Sequence, residues 1–336
     1  MSGTDRMRLE GRFQRRVVRG IIAVVTLAGV YFALPGLHSP GDDPPAAEGY
    51  WQTLPAGSFA QLPTEAECAD RVHRSEWEPR PGNSKPNQTM PPVEQVHASL
   101  AARPRATPAE AYDTRWDSLG LARVTGHHTG TTDENIQWAA CKWGLADNLV
   151  RAVALTESTW YQKDLYPSGA CVEKRGCGDL FPKPTAASGE YCNEIKAAGY
   201  DYQRDYGQNL CPKTFSIIGV MSWQDPAWGQ MAGNQNGTFP FNRDSTAFAL
   251  DYYGAYIRGC LEGWAWWLTG KDNPVDPAKR LDGCVGAWFA GAWHTKPADD
   301  YTALVYKTMQ DRPWLHRTWA SPSGVCSWLR RCGSNN

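Results

Sequence analysis

The stretch NLVRAVALTESTW, residues 148–160, decides how this chain is read. Leu149, Val150, Val153 and Ala154 recur at helical spacing and mark one apolar face. Glu157 falls seven residues after Val150 and four after Val153, which puts its carboxyl on that same face. One reading is a helix end turned to water. The other uses the position: apolar walls strip solvent from the charged form and push a carboxyl pKa up. A carboxylic acid still protonated near neutral pH can give its proton to a leaving oxygen, the general-acid step of glycoside cleavage. Asp164, Asp179 and Asp225 lie downstream as possible second carboxylates, and spacing singles out none of them.

The neighbouring segments are helical too. TTDENIQWAACKWG (131–144) has Thr and Asp caps, an apolar stripe of Ile136, Ala139, Ala140 and Trp143, and a stop at Gly144. The helix of Glu157 is expected to start near Asp147. Two segments, STAFALDYYGAYIRGCLEGWAWWLTG (245–270) and DGCVGAWFAGAW (282–293), read as buried helices, and ADDYTALVYKTM (298–309) as an amphipathic one. Between them, residues 161–214 are rich in Gly, Pro and polar residues and hold four cysteines. So long an irregular stretch needs covalent ties. The fold class is mainly α, with a disulfide-stapled irregular insertion.

The ten cysteines form no CxxC and no Cys/His cluster with zinc spacing, so neither a metal site nor any cofactor is expected. An even count in an exported chain favours disulfides. Cys171, Cys177, Cys192, Cys211, Cys260, Cys284, Cys326 and Cys332 are the candidates, with Cys171–Cys177 and Cys326–Cys332 the near-neighbour pairs. Cys68 is a further possible staple.

Export is read from the N-terminus. Residues 1–19 carry six arginines against two acids, and IIAVVTLAGVYFAL (21–34) follows. Tyr31 and Phe32 crowd the place where a small-residue cleavage site belongs, which favours a signal anchor over a cleaved signal peptide. The basic flank then stays cytoplasmic and the remainder lies outside, membrane-anchored or secreted. The chain divides into a basic tail (1–16), the signal segment (17–34), a Pro/Gly-rich linker (35–58), an irregular extension (59–125) and a helical domain (126–336). Within the extension, TEAECADRVHRSEW (64–77) suits one short helix. EPRPGNSKPNQTMPP (78–92) suits an extended path on a neighbour, and TPAEAYDTRWDSLG (107–120) a helical turn.

A net charge of −1 gives no case for nucleic acid as a partner. Sixteen tryptophans supply flat apolar faces that suit sugar rings as well as a core. His127–His128 has no metal-spaced partner and reads as loop, and GNQNGT (233–238) reads as a turn.

ALTESTW (154–160) followed by IIGVMSW (217–223) resembles the lytic transglycosylases of the goose-type lysozyme-like superfamily, a bacterial group. Glu157-Ser158 matches that family's Glu-Ser pair at the end of an apolar helix. Gly219-Val220-Met221 matches the start of its Gly-hydrophobic-Met-Gln segment, and AWFAG (287–291) matches its Ala-Tyr-Asn-Ala-Gly motif at three of five positions. Tyr301 and Val305 match a tyrosine and valine of the last helix. Ser222 stands where the family has Gln, and Phe289 where it has Asn. Residues 159–218 form a longer insertion than the family's.

The resemblance implies a lysozyme-like domain over 126–336 that cleaves peptidoglycan glycan strands. Glu157 would protonate the oxygen between N-acetylmuramic acid and N-acetylglucosamine. It would then accept the C6 hydroxyl proton, leaving a 1,6-anhydro end. Tyr301 would orient Glu157 by a hydrogen bond. Ser158, Met221, Ser222, Trp223 and Trp288 would bind substrate. Two competing readings are a non-catalytic wall-binding module of the same fold and a hydrolase of another amino-sugar polymer, using Asp164 or Asp179 to activate water. The sequence leaves the oligomeric state open.

Overall fold

The computed structural model describes residues 48–103, 113–162, 180–181, 193, 196–197, 211–212, 214–221, 234, 236–265, 280–316 and 319. It is mainly helical. Among the described residues seven helices have seven or more residues: α1 (Glu65–Arg71), α2 (Val93–Ala102), α3 (Thr132–Trp143), α4 (Asp147–Ser158), α5 (Thr246–Leu261), α6 (Arg280–Ala290) and α7 (Lys296–Asp311). Two short antiparallel pairs accompany them. β1 (Leu180–Phe181) pairs with β2 (Cys211–Pro212), and β3 (Thr214–Phe215) with β4 (Val220–Met221).

Local sequence sets the helix starts. Thr64 and Glu67 form a reciprocal capping box at α1, as Thr131 and Glu134 do at α3. The Ser245 hydroxyl accepts the Phe248 N–H at the head of α5. α5 packs on α3 and α6, and α7 packs on α6 and α4. The α6–α7 approach depends on Gly286, where a Cβ would lie 2.7 Å from the Ala298 carbonyl. The shared core includes Ile136, Trp138, Trp143, Val150, Val153, Phe248, Ile257, Val285 and Val305.

α3 differs from the one-sided helix its stripe suggests. All twelve of its residues are buried, Asp133, Glu134, Gln137 and Lys142 included. Residues 59–125 are the cause. Among those described, α1 falls where a short helix is expected, and α2 and a helical turn at Ser84–Asn87 stand where irregular or extended chain is expected. The chain from Glu65 to Glu78 covers the polar side of α3, supplying partners for its charges. Ser75 N–H donates to Glu134 at 2.8 Å, His73 N–H to Gln137 at 2.9 Å, and Lys142 reaches Glu65 at 3.0 Å. From the core side, Asp251 of α5 accepts from Lys142 (2.8 Å) and from the Trp143 indole (2.6 Å). Buried charges persist when paired in this way. Cys68 bonds Cys141, tying α1 to α3, and Cys260 bonds Cys284, tying α5 to α6. The near-neighbour pairs Cys171–Cys177 and Cys326–Cys332, and also Cys192, lie outside the described residues.

The expected linker also ends earlier than residue 58. Tyr50 and Trp51 each donate a backbone N–H to Asp147 at 3.0 Å, and Leu54 N–H donates to Gly144 O at 3.0 Å. Residues 50–54 therefore pack on the α3–α4 turn. Among the described residues no helix is long and apolar enough to cross a membrane. The signal segment at 17–34 lies outside them.

Candidate active site

α4 is fixed at its foot by charge. Arg151, fully buried, pairs with Asp133 at 2.7 Å and with Asp147 one turn back. At its head the helix stops because Thr159 (φ 54°) and Trp160 (φ 68°) turn left-handed. That conformation is unusual for a bulky residue. It is held by the Trp160 indole, which folds back and donates to Arg151 O at 3.0 Å. Glu157 thus sits half-buried on the last turn, facing the β3–β4 turn.

That turn, residues 216–219, is gripped by side chains from three directions. Ser158 Oγ donates to Ile217 O at 2.7 Å, the Gln162 side chain accepts from Ile217 N–H at 3.0 Å, and the Trp288 indole donates to Ile218 O at 3.1 Å. Asn242 holds Val220 O at 3.1 Å, and Asn236 and Thr238 hold Met221 O at 2.9 and 3.0 Å. Ser216 (φ 87°) and Gly219 (φ 70°) both lie in the left-handed region. Glycine takes that conformation without cost, so the strain lies at Ser216, held there by the restraints around it.

The carboxyl oxygens of Glu157 have different surroundings. Oε1 accepts a hydrogen bond from the Tyr301 hydroxyl of α7. Oε2 lies over Gly219, where a Cβ would be 3.0 Å away. Burial, and then the charge of Glu157, hold the Tyr301 phenol well above the usual tyrosine range. Tyr301 therefore stays protonated and the bond has one direction, phenol to carboxyl. Phe289 lies parallel to the Tyr301 ring, with centroids 4.7 Å apart and planes 3° apart. Phe289 and Met221 are both more than a third exposed, apolar surfaces on the two structures that bracket Glu157.

The structure therefore brings together Glu157, Tyr301, Met221 and Trp288. It gives Ser158 a different task from the expected sugar contact. The residue is 2% exposed and its hydroxyl is spent on the turn, so it positions the backbone beneath Glu157. Trp288, half-buried, does likewise through its indole N–H. Ser222, Trp223, Asp164, Asp179 and Asp225 lie outside the described residues. Within GNQNGT, Gly237 N–H donates to Asn234 O at 2.9 Å, the closing bond of a turn, and Asn236 braces Met221; Gly233 and Gln235 lie outside the described residues. Sequence reasoning missed Gln162, Asn242 and Tyr253. Their only signal is polarity inside otherwise apolar or irregular stretches. His128 is a loop residue, as read, but buried: its Nδ1 meets Asn135 Oδ1 at 3.0 Å and its ring stacks on Trp138.

Among the described residues no group of three or more His, Cys, Asp or Glu side chains could hold a metal ion. Comparison of the chain with protein-family models, with curated proteins and with solved structures returned no match. What the arrangement can do chemically follows from Glu157 itself. One oxygen accepts from the Tyr301 phenol and the other lies over Gly219, near exposed apolar surface.

Proposed function

We propose that this chain is an exported lytic transglycosylase with a lysozyme-like helical domain, acting on the glycan strands of peptidoglycan. The observation that carries the proposal is the Tyr301 hydroxyl donating to Glu157 at the end of an apolar helix. Protonated Glu157 gives its proton to the oxygen between N-acetylmuramic acid and N-acetylglucosamine, and the C1–O bond breaks. The positive charge left at C1 is shared with the neighbouring 2-acetamido group, so no second carboxylate is required. Glu157, now a carboxylate, takes the proton of the C6 hydroxyl as O6 closes on C1. The product carries a 1,6-anhydro ring and no water is consumed. Met221 and Phe289 supply apolar faces for sugar rings. The Cys68–Cys141 and Cys260–Cys284 disulfides and the basic-then-apolar N-terminus support placement outside the cytoplasm, with residues 17–34 as anchor or signal.

A second reading, a wall-binding module without catalysis, draws on the exposed Phe289 ring stacked beside Tyr301. Mass spectrometry of digested cell wall distinguishes the two. Anhydro ends are expected from the native protein and should fall about 10²–10⁴-fold with Glu157→Gln, which keeps the shape and cannot transfer a proton. Reducing ends would mark a hydrolase, and absence of products a binding module.

A further inference from the structure

Tyr253 sits in the middle of α5 with no exposed surface, and its hydroxyl has no hydrogen-bond partner. An orphaned buried hydroxyl costs about 1–3 kcal/mol and calls for an explanation. Its place supplies one. The Tyr253 ring meets the Trp288 indole edge-on at 5.0 Å, and that indole holds Ile218 O. The next residue is Gly219, which lies against Glu157 Oε2. Tyr253 is thus one side chain behind the turn that carries the carboxyl.

Glu157 from α4, Tyr301 and Tyr306 from α7, and Tyr256 on its own helix are near enough to act electrostatically on the Tyr253 phenol, and none of them is hydrogen-bonded to its hydroxyl. Tyr306 is committed to Asp282 of α6, and Tyr301 to Glu157. The charged acceptor among these groups is Glu157. Burial, and then the charge of Glu157, keep the Tyr253 phenol protonated far above neutral pH, so it can act only as a donor to a neighbouring carboxylate.

We propose that Tyr253 is a second positioning residue for Glu157, its hydroxyl donating to the carboxylate as Glu157 shifts towards it once the proton has been delivered to the leaving oxygen. The proposal rests on the reading of Glu157 as acid and base. In the acid step one donor, Tyr301, is sufficient, because a protonated carboxyl needs less stabilisation. In the base step the carboxylate is a full charge in a partly buried place. A waiting donor stabilises it without reorganising solvent. The hydroxyl is unsatisfied in the resting state for the same reason that a catalytic donor is: its acceptor develops during the reaction.

Tyr253→Phe tests this in the full-length protein. Two measurements are needed: the Glu157 carboxyl titration followed by carbon-13 NMR, and turnover on purified peptidoglycan across pH. Loss of a donor to the charged form should raise the Glu157 pKa by about one unit. It should lower turnover about tenfold with KM little changed, and move the alkaline limb of the rate profile up. The melting temperature should stay level or rise, since an orphaned hydroxyl is removed. A merely structural tyrosine would move neither the titration nor the rate profile, and that result overturns the proposal. A shifted titration with unchanged turnover also overturns it, since Tyr253 would then only neighbour the carboxylate. If the native protein releases no anhydro products while the titration still shifts, the failure is that of the enzymatic reading, and the coupling of the two residues stands.

Discussion

Tyr301 and Glu157 are 144 residues apart in the chain and are joined by a hydrogen bond from the phenol to the carboxyl. The bond joins the first turns of α7 to the last turn of α4, so it reports the packing of those two helices as well as the state of the carboxyl. Tyr301→Phe removes the hydroxyl and keeps the ring volume, so packing on Phe289 should change little. Turnover is expected to fall by about 10²-fold, because a carboxyl without that restraint samples unproductive rotamers. The melting temperature should move by only a few degrees. A lowered melting point with unchanged turnover would leave Tyr301 as a core residue and nothing more.

Gly219→Ala should harm activity more than stability. The backbone there has φ 70°, and an L side chain in that region costs about 1–2 kcal/mol. The added methyl would also stand 3.0 Å from Glu157 Oε2 and displace it from the open side. A turnover loss of at least about tenfold, alongside a melting point lowered by a few degrees, is the expected pair of results. Native turnover in this variant would mean that Oε2 exchanges its proton elsewhere.

Removing the Cys260–Cys284 bridge by a double substitution to alanine should lower stability by about 3 kcal/mol, as loop-closure entropy predicts for a separation of 24 residues. The bridge ties the end of α5 to α6, which carries Trp288 and Phe289. Hydrogen exchange in α6 should therefore accelerate more than in α3. Equal acceleration in both helices would show that the bridge acts on the whole fold and not on α6.

His128 gives a pH signature independent of the candidate site. Burial pushes its pKa down to about 4, from an ordinary value near 6.5. The unfolded chain takes up the proton near 6.5 and the folded chain only near 4. Stability from this group is therefore complete above pH 6.5 and is lost as pH falls towards 4. The loss is on the order of 3 kcal/mol at most. Proton NMR should find the His128 imidazole titrating near 4. A His128 ring that titrates near 6.5 would refute the burial argument.

Glu157 was legible because it lies on a helix whose apolar spacing is plain, and a carboxyl on an apolar stripe stands out. Tyr301 entered only through the resemblance, since spacing alone reads it as one aromatic residue of an amphipathic helix. The polar side of α3 was not. Asp133, Glu134 and Lys142 look like a solvated face until the chain from Glu65 to Ser75 is laid over them. That covering segment hides from periodicity because it buries few apolar residues and works through hydrogen bonds. Ser158 misled for a related reason: adjacency to Glu157 suggested a sugar contact, whereas the direction of its side chain is set by where the β3–β4 turn arrives. Tyr253 reads as one more aromatic residue in a buried helix. Its interest depends on which carboxyl α5 comes to lie behind, a matter of tertiary packing that local spacing does not encode.

The clamp of Tyr50 and Trp51 on Asp147 has a mechanical consequence. The chain enters the described fold at the foot of α4, the helix that ends in Glu157. Asp147 is also an ion-pair partner of Arg151 within that helix. Tension that reaches Tyr50 along the chain would pass through two backbone N–H bonds to Asp147 and so to the foot of α4. The Glu48–Arg312 ion pair at 3.7 Å would share that load with the end of α7. A pull there would load the two helices that supply Glu157 and Tyr301.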